Sequence, residues 1–135
     1  MATQLDEKTL VAGQIAPGDV AGMAAEGVTM IVNNRPDGEQ PGQPAGSAIE
    51  AAAQEAGVGY RHIPVSGGLS PEQVEAMQQA LDTAEGQVLA FCTSGTRSTY
   101  LWALARARAG EEPDTIVARA AAAGYDLSAL RPYLG

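Results

Sequence analysis

Short apolar runs alternate along this chain with longer Ala-rich segments of helical spacing, and that alternation limits the folds open to it. Val28–Asn33 is the clearest run: continuous, β-branched and suited to burial on both faces. Leu10–Ile15, Tyr60–Val65 and Gln87–Phe91 read as further strands. Between them, helices are expected over Pro17–Ala25, Ser47–Ala56 and from Ser70 through Leu81. Later ones span Ser98–Ala109 and Pro113–Ala123, with a last helical turn or two in Asp126–Leu134. Ser70-Pro71-Glu72-Gln73 is a helix start, with Ser as cap, Pro in the first turn and Gln three after the cap. Strands alternating with helices imply an α/β fold with a small, mainly parallel sheet flanked by helices. The 135 residues make one domain, 1–135, long enough to bury a core without a disulfide or metal.

The charge balance excludes several partners. Eight Lys+Arg stand against sixteen Asp+Glu, a formal net charge of −8. No basic stripe exists for nucleic acid or an anionic membrane surface, and no run approaches a membrane span. An anion must therefore be bound locally, against the overall field. Met1–Lys8 lacks a basic segment followed by an apolar one, so a cytoplasmic protein is expected. One Cys and one His fall short of a zinc site, and no cofactor is expected.

The segment that carries chemistry is Phe91-Cys92-Thr93-Ser94-Gly95-Thr96-Arg97-Ser98-Thr99, where a buried strand gives way to a helix. A helix N-terminus offers unpaired N–H groups and a partial positive charge. Thr93, Ser94, Gly95, Thr96 and Ser98 are small enough for a nest of amides that holds an anion, with Arg97 beside it as a planar cation. Cys92 lies at the bottom of that cradle. Lowering a thiol pKa by about two and a half units takes roughly 3.4 kcal/mol at 1.36 per unit. A helix terminus supplies about 0.3–1 kcal/mol, up to about 2 in a favourable site. The rest must come from amide hydrogen bonds and Arg97, and the expectation is a reactive thiolate at neutral pH. The competing reading is a buried core cysteine.

Cys-x-x-Gly-x-Arg-Ser resembles the active-site loops of rhodaneses and cysteine-dependent phosphatases. Gly13-Gln14-Ile15, Asn33-Asn34-Arg35-Pro36-Asp37-Gly38-Glu39-Gln40-Pro41, Tyr60-Arg61-His62-Ile63-Pro64-Val65 and the Cys92 loop occur in that order. Together, from about Leu5 to Ala123, they resemble the bacterial phosphatase-like domain named after beta-lactamase-hydrolase-like proteins. The resemblance implies a dual-specificity-phosphatase-like fold. Members of that family have been read both as phosphatases and as sulfurtransferases. Some are fused to a persulfide dioxygenase, which is the protein partner implied here.

Loop length favours sulfur transfer. Four residues separate Cys92 from Arg97, as is common in rhodaneses, where phosphatases usually have five. A phosphatase also needs a general acid. Dual-specificity phosphatases carry an Asp after the strand matching Tyr60–Val65, where this chain has Ser66-Gly67-Gly68. Glu72 is near in sequence but sits in a helix start. Asp37 or Glu39, from the long Asn34–Gly46 loop with its three Pro and three Gly, would have to swing over, with Asp37 preferred.

The main expectation is a rhodanese-type sulfurtransferase with Cys92 as persulfide carrier and Thr93–Arg97 as cradle. It would move a sulfane sulfur from a small-molecule donor to a thiol acceptor. The alternative is a phosphoester hydrolase, with Cys92 as nucleophile, Arg97 as clamp and Asp37 as acid. A second alternative is a non-catalytic anion or redox sensor. Other residues carry structural readings beside functional ones. Asp37-Gly38 makes a turn, Arg35 pairs with Glu39 or Asp37 to order the loop, and His62 is hydrogen-bonded at a strand end. Ser98 either bonds the sulfur or simply caps the helix. Leu101 and Trp102 are core.

Overall fold

The computed structural model describes residues 2–135. Its five-stranded sheet comprises β1 (Thr3–Gln4), β2 (Thr9–Ala12), β3 (Val28–Asn33), β4 (Gly59–His62) and β5 (Gln87–Phe91), in the spatial order β1-β2-β5-β3-β4. β1 is antiparallel to β2, and the other pairs are parallel. The helices are α1 (Val20–Ala25), α2 (Gly46–Ala56), α3 (Pro71–Thr83), α4 (Thr96–Arg108) and α5 (Pro113–Ala122). The fold is α/β with a small, mostly parallel sheet, as the alternation of segments implies.

The central strands are apolar at nearly every position because both their faces are covered. Val88 and Ala90 of β5 join Met30 and Val32 of β3 in one core cluster with Met77, Leu81, Leu101, Trp102 and Ile116. Leu89 and Phe91 join Ile31 in the opposite cluster with Val20, Ile49 and Ala53. The period of two within each strand thus sorts side chains into two cores, one under α3–α5 and one under α1–α2. Leu101 and Trp102 are fully buried. The Trp102 indole N–H donates to Asp6 Oδ2 (3.0 Å), and Asp6 Oδ1 accepts the Lys8 and Thr9 amides.

Among the boundaries that differ from the sequence expectation, three show what the chain does there. β2 stops at Ala12 because Gly13 lies against the Thr93 carbonyl, where a Cβ would come within 2.8 Å. β4 stops at His62, although the chain stays extended: the Ile63 and Val65 amides donate to the Asn33 and Asn34 carbonyls around Pro64. The stretch from Pro17 opens with a 3-10 turn (Pro17–Asp19) before α1. The two-residue β1 is an addition, paired only along one edge. At α3, Ser70 accepts the Gln73 amide and Gln73 Oε1 accepts the Ser70 amide, the capping box its sequence announces.

β3 and β5 end in register, Asn33 beside Phe91. Both next segments, Asn34 onward and Cys92 onward, leave the same edge of the sheet. That is the carboxyl end of parallel strands, the usual place for a site in such a sheet.

Candidate active site

Cys92 follows β5 directly. Its amide donates to the Ala12 carbonyl (3.3 Å), so its backbone is tied to β2. The chain then turns through Thr93-Ser94-Gly95, and α4 starts at Thr96, two residues earlier than its periodicity suggests. Gly95 caps the helix at φ 91°, a left-handed conformation that glycine accepts without strain. A Cβ there would also run into the Tyr125 hydroxyl and lie 3.0 Å from Tyr125 Cζ.

This turn aims amides at the sulfur. The Gly95 N–H donates to Cys92 Sγ (3.1 Å), and the amides of Ser98 and Ser94 also face it. Cys92 is completely buried. Burial alone pushes its pKa up, but hydrogen bonds from the Ser98 amide and hydroxyl and from the Ser94 and Gly95 amides outweigh it. The thiol pKa is therefore lowered.

The Ser98 hydroxyl has one proton and two acceptors. It donates to Asn34 Oδ1 (2.8 Å) and also lies within reach of Sγ. Asn34 is fixed in turn: its side-chain amide donates to the Ile63 carbonyl (2.9 Å), which directs Oδ1 towards Ser98. In the structure the Ser98 proton is on Asn34, and a thiolate would compete for it.

Arg97 sits in the first turn of α4. Nη1 donates to Glu39 Oε2 (2.8 Å) and the Val65 carbonyl (2.8 Å). Nη2 donates to Glu39 Oε1 (3.0 Å) and Thr93 Oγ1 (2.8 Å). Glu39 is held a second time by Arg35 Nε (2.9 Å). The Arg97 hydrogen bonds first, then those of Arg35, lower the Glu39 pKa to about 2. Arg35 has only 4% of its side chain exposed, and its two Nη groups donate to Gln14 and Gln40. Gln14, Arg35, Glu39 and Arg97 thus form one chain of charge-assisted bonds across the mouth of the cradle.

The other candidates are placed as follows. Thr93 Oγ1 accepts from Arg97, and the Ser94 and Thr96 hydroxyls bond each other (3.1 Å). His62 bonds the Arg35 carbonyl through Nε2 (3.0 Å), a structural link between β4 and the loop. Asp37 is not brought to Cys92. Its Oδ1 accepts the Gly46 amide (2.7 Å) at the start of α2, in company with the Tyr60 hydroxyl and Asn33. A carboxylate at a helix start is satisfied there by the exposed amide and the helix dipole. Asp37, expected as an acid over the site, is instead held at the start of α2.

Sequence reasoning missed two groups. Asn34 is fully buried behind Ser98. The Tyr125 hydroxyl donates to the Ser94 carbonyl (3.0 Å) from beyond α5, and burial, then the charge on Cys92, raises its pKa. Asn34 carried a signal, since it directly follows a buried strand. Tyr125 carried none in its local sequence. Among the described residues, no group of three or more His, Cys, Asp or Glu is placed to hold a metal ion, and no helix is long and apolar enough to cross a membrane.

Residues 3–109 match the family described as beta-lactamase hydrolase-like protein, phosphatase-like domain. The chain belongs to this family. The beta-lactamase hydrolase-like protein of Xylella fastidiosa is 38% identical over 125 residues, 91% of this chain but 29% of that protein. The chain thus spans under a third of the length of that relative. A Neisseria meningitidis structure described as a "putative phosphatase" is 37% identical, with a TM-score of 0.83 over 98% of this chain and 94% of that one. Kinase associated phosphatase shares the fold at 15% identity, with a TM-score of 0.69 over 93% and 83% of the two chains. The fold is that of the cysteine phosphatases.

Proposed function

We propose that this family member is a cysteine-dependent sulfurtransferase, in which residues 1–135 form one domain acting on a small-molecule sulfane-sulfur donor and a thiol acceptor. The observation that supports sulfur transfer over hydrolysis is Glu39. Among the described residues it is the one carboxylate bonded to the cradle, and its pKa of about 2 leaves it ionised at neutral pH. Such a group cannot donate a proton to a departing alkoxide. Sulfur transfer asks for no such donor, because its leaving groups are stable anions.

The cycle uses Cys92 twice. The thiolate attacks the outer sulfur of the donor; an Sγ–S bond forms, the donor's S–S bond breaks, and a thiolate or sulfite leaves with the electron pair. The resulting persulfide keeps its charge on the outer sulfur, stabilised by the loop amides. An acceptor thiolate then attacks that sulfur, leaves as a persulfide anion, and returns Cys92 to a thiolate. A cleft of about 830 Å³ opens beside Thr93, lined among others by Leu10, Ile15 and Met23, with room for the donor's organic part. The product is an organic persulfide, so a persulfide-oxidising enzyme is the fitting partner.

The second reading is phosphoester hydrolysis, favoured by the fold and by the Neisseria relative. There Cys92 is the nucleophile and Arg97 the clamp. Paired turnover decides between them: glutathione persulfide or thiosulfate with a thiol acceptor, against p-nitrophenyl phosphate, with Cys92→Ser as control. Sulfur transfer that Cys92→Ser abolishes, with little phosphate release, is the expected result. Efficient Cys92-dependent phosphate release without sulfur transfer would overturn it.

A further inference from the structure

Both terminal nitrogens of Arg97 are already engaged, with its Nε–H outside those bonds. Its four terminal N–H bonds go to the two Glu39 oxygens, the Val65 carbonyl and Thr93 Oγ1, all at 2.8–3.0 Å. These are the donors with which an arginine grips a tetrahedral oxyanion in a cysteine site. Glu39 holds its place firmly. Arg35 grips the same carboxylate from behind, and Arg35 is itself buried and held by Gln14 and Gln40. The Gln43 side chain accepts the Glu39 amide (3.0 Å) and donates to the Pro36 carbonyl (2.9 Å), which fixes the backbone under the carboxylate.

An oxyanion that takes both terminal nitrogens of Arg97 must therefore displace a tethered carboxylate. Once displaced, that carboxylate stays on Arg35, a few ångströms away. A dianion such as a phosphate monoester or thiosulfate meets this repulsion twice over. A persulfide end group carries one charge and meets less of this repulsion.

Resting on the sulfur-transfer reading, we propose that Glu39 is the specificity-determining residue of the cradle. Its carboxylate occupies the terminal nitrogens of Arg97 in place of a substrate oxyanion, disfavouring dianions and favouring donors whose reacting end is a monoanionic organic persulfide. The three-carbon reach of a glutamate is what lets one side chain serve both arginines.

The test is binding of inorganic phosphate, measured by calorimetry on the full chain with Cys92 reduced. Glu39→Gln keeps size and one acceptor but removes the charge. It is expected to bind phosphate at least about tenfold more tightly than wild type. Its KM for thiosulfate should fall, while that for glutathione persulfide changes less. Phosphate affinity unchanged or weakened in Glu39→Gln would overturn the proposal. If Glu39→Gln gives no cooperative melt, Glu39→Ala is read by the same criterion. Phosphate binding needs no turnover. Tighter binding in a protein that transfers no sulfur would leave the role of Glu39 standing and remove the activity; sulfur transfer with unchanged phosphate binding would do the reverse.

Discussion

Residues Cys92–Ser98 and residues Asn34–Ala45 meet at Arg97, and they are held there by different means. The first segment is organised by its own backbone: Gly95 in the left-handed region, its N–H on Sγ three residues back, and the Thr99 amide on the Gly95 carbonyl. The second has no regular structure and is organised by side chains. Arg35, Glu39, Gln40, Gln43 and Asp37 each bond a group several residues away. The backbone device is steric and fails all at once, whereas the network is distributed and should fail in steps.

Glycine substitutions put that contrast to its hardest test. Gly95→Ala adds strain at φ 91° and drives a methyl into Tyr125. It should swing the Gly95 N–H off the sulfur, and losing one such donor costs on the order of a hundredfold or more in turnover. Gly38 in the long loop also has a positive φ, 74°, but nothing lies within 4 Å of a Cβ there. Gly38→Ala should cost only about 1 kcal/mol of stability and leave turnover within about twofold. Steady-state kinetics beside circular-dichroism melts of both variants would check this. Equal losses of activity would mean that the two segments are fixed in the same way.

The network's own weak point is Arg35. Arg35→Ala removes three hydrogen bonds whose acceptors sit near solvent and can be rehydrated. A loss of about 2 kcal/mol follows, or a fall in Tm of roughly 5–10 °C. The pH dependence should change too. Glu39 has a folded pKa of about 2, below its ordinary 4.5. Its contribution to stability is therefore complete above about 4.5 and is lost as pH falls towards about 2. With Arg35 gone, the folded value rises, the contribution shrinks, and its loss is confined to a narrower range nearer 4.5. Acid melts from pH 5 to 2, wild type against Arg35→Ala, would show the shift; superimposable curves would mean that Arg97 alone holds the carboxylate.

These contrasts also explain how much was legible in the sequence. β3 and β5 are plain in the sequence, because burial on both faces leaves polar residues only near their ends. The cradle was legible for the same local reason: Gly95, Arg97 and the small residues lie within one turn of Cys92. Position in the chain did not fix the direction of long-range side chains. Asp37 and Glu39 are two residues apart on the same loop, yet one caps α2 and the other reaches Arg97. Gly38 between them turns the backbone, and no local pattern tells which carboxylate will face inward. Tyr125 was illegible because its partner, Ser94, lies 31 residues away across two helices.

Ser98 should give a smaller effect than Gly95, and its hydroxyl belongs to both regions at once. It bonds Asn34 at the root of the long loop and helps to lower the pKa of the cradle thiol. Ser98→Ala removes the hydroxyl but keeps the amide, so the thiol pKa should rise while the nest survives. Iodoacetamide alkylation followed against pH reads this directly. At pH 6 the rate should fall about fivefold, the worth of one net hydrogen bond near 1 kcal/mol, and the midpoint should move up. The plateau rate at high pH, where every molecule is a thiolate, should be unchanged. Ser94→Ala is the control: the Ser94 hydroxyl bonds Thr96 rather than the sulfur, so its midpoint should stay at the wild-type position. A midpoint unmoved in Ser98→Ala would mean that Asn34 keeps the proton even when Cys92 is ionised. The thiolate would then be stabilised by the backbone amides and Arg97, and the long loop would reach the chemistry only through Glu39.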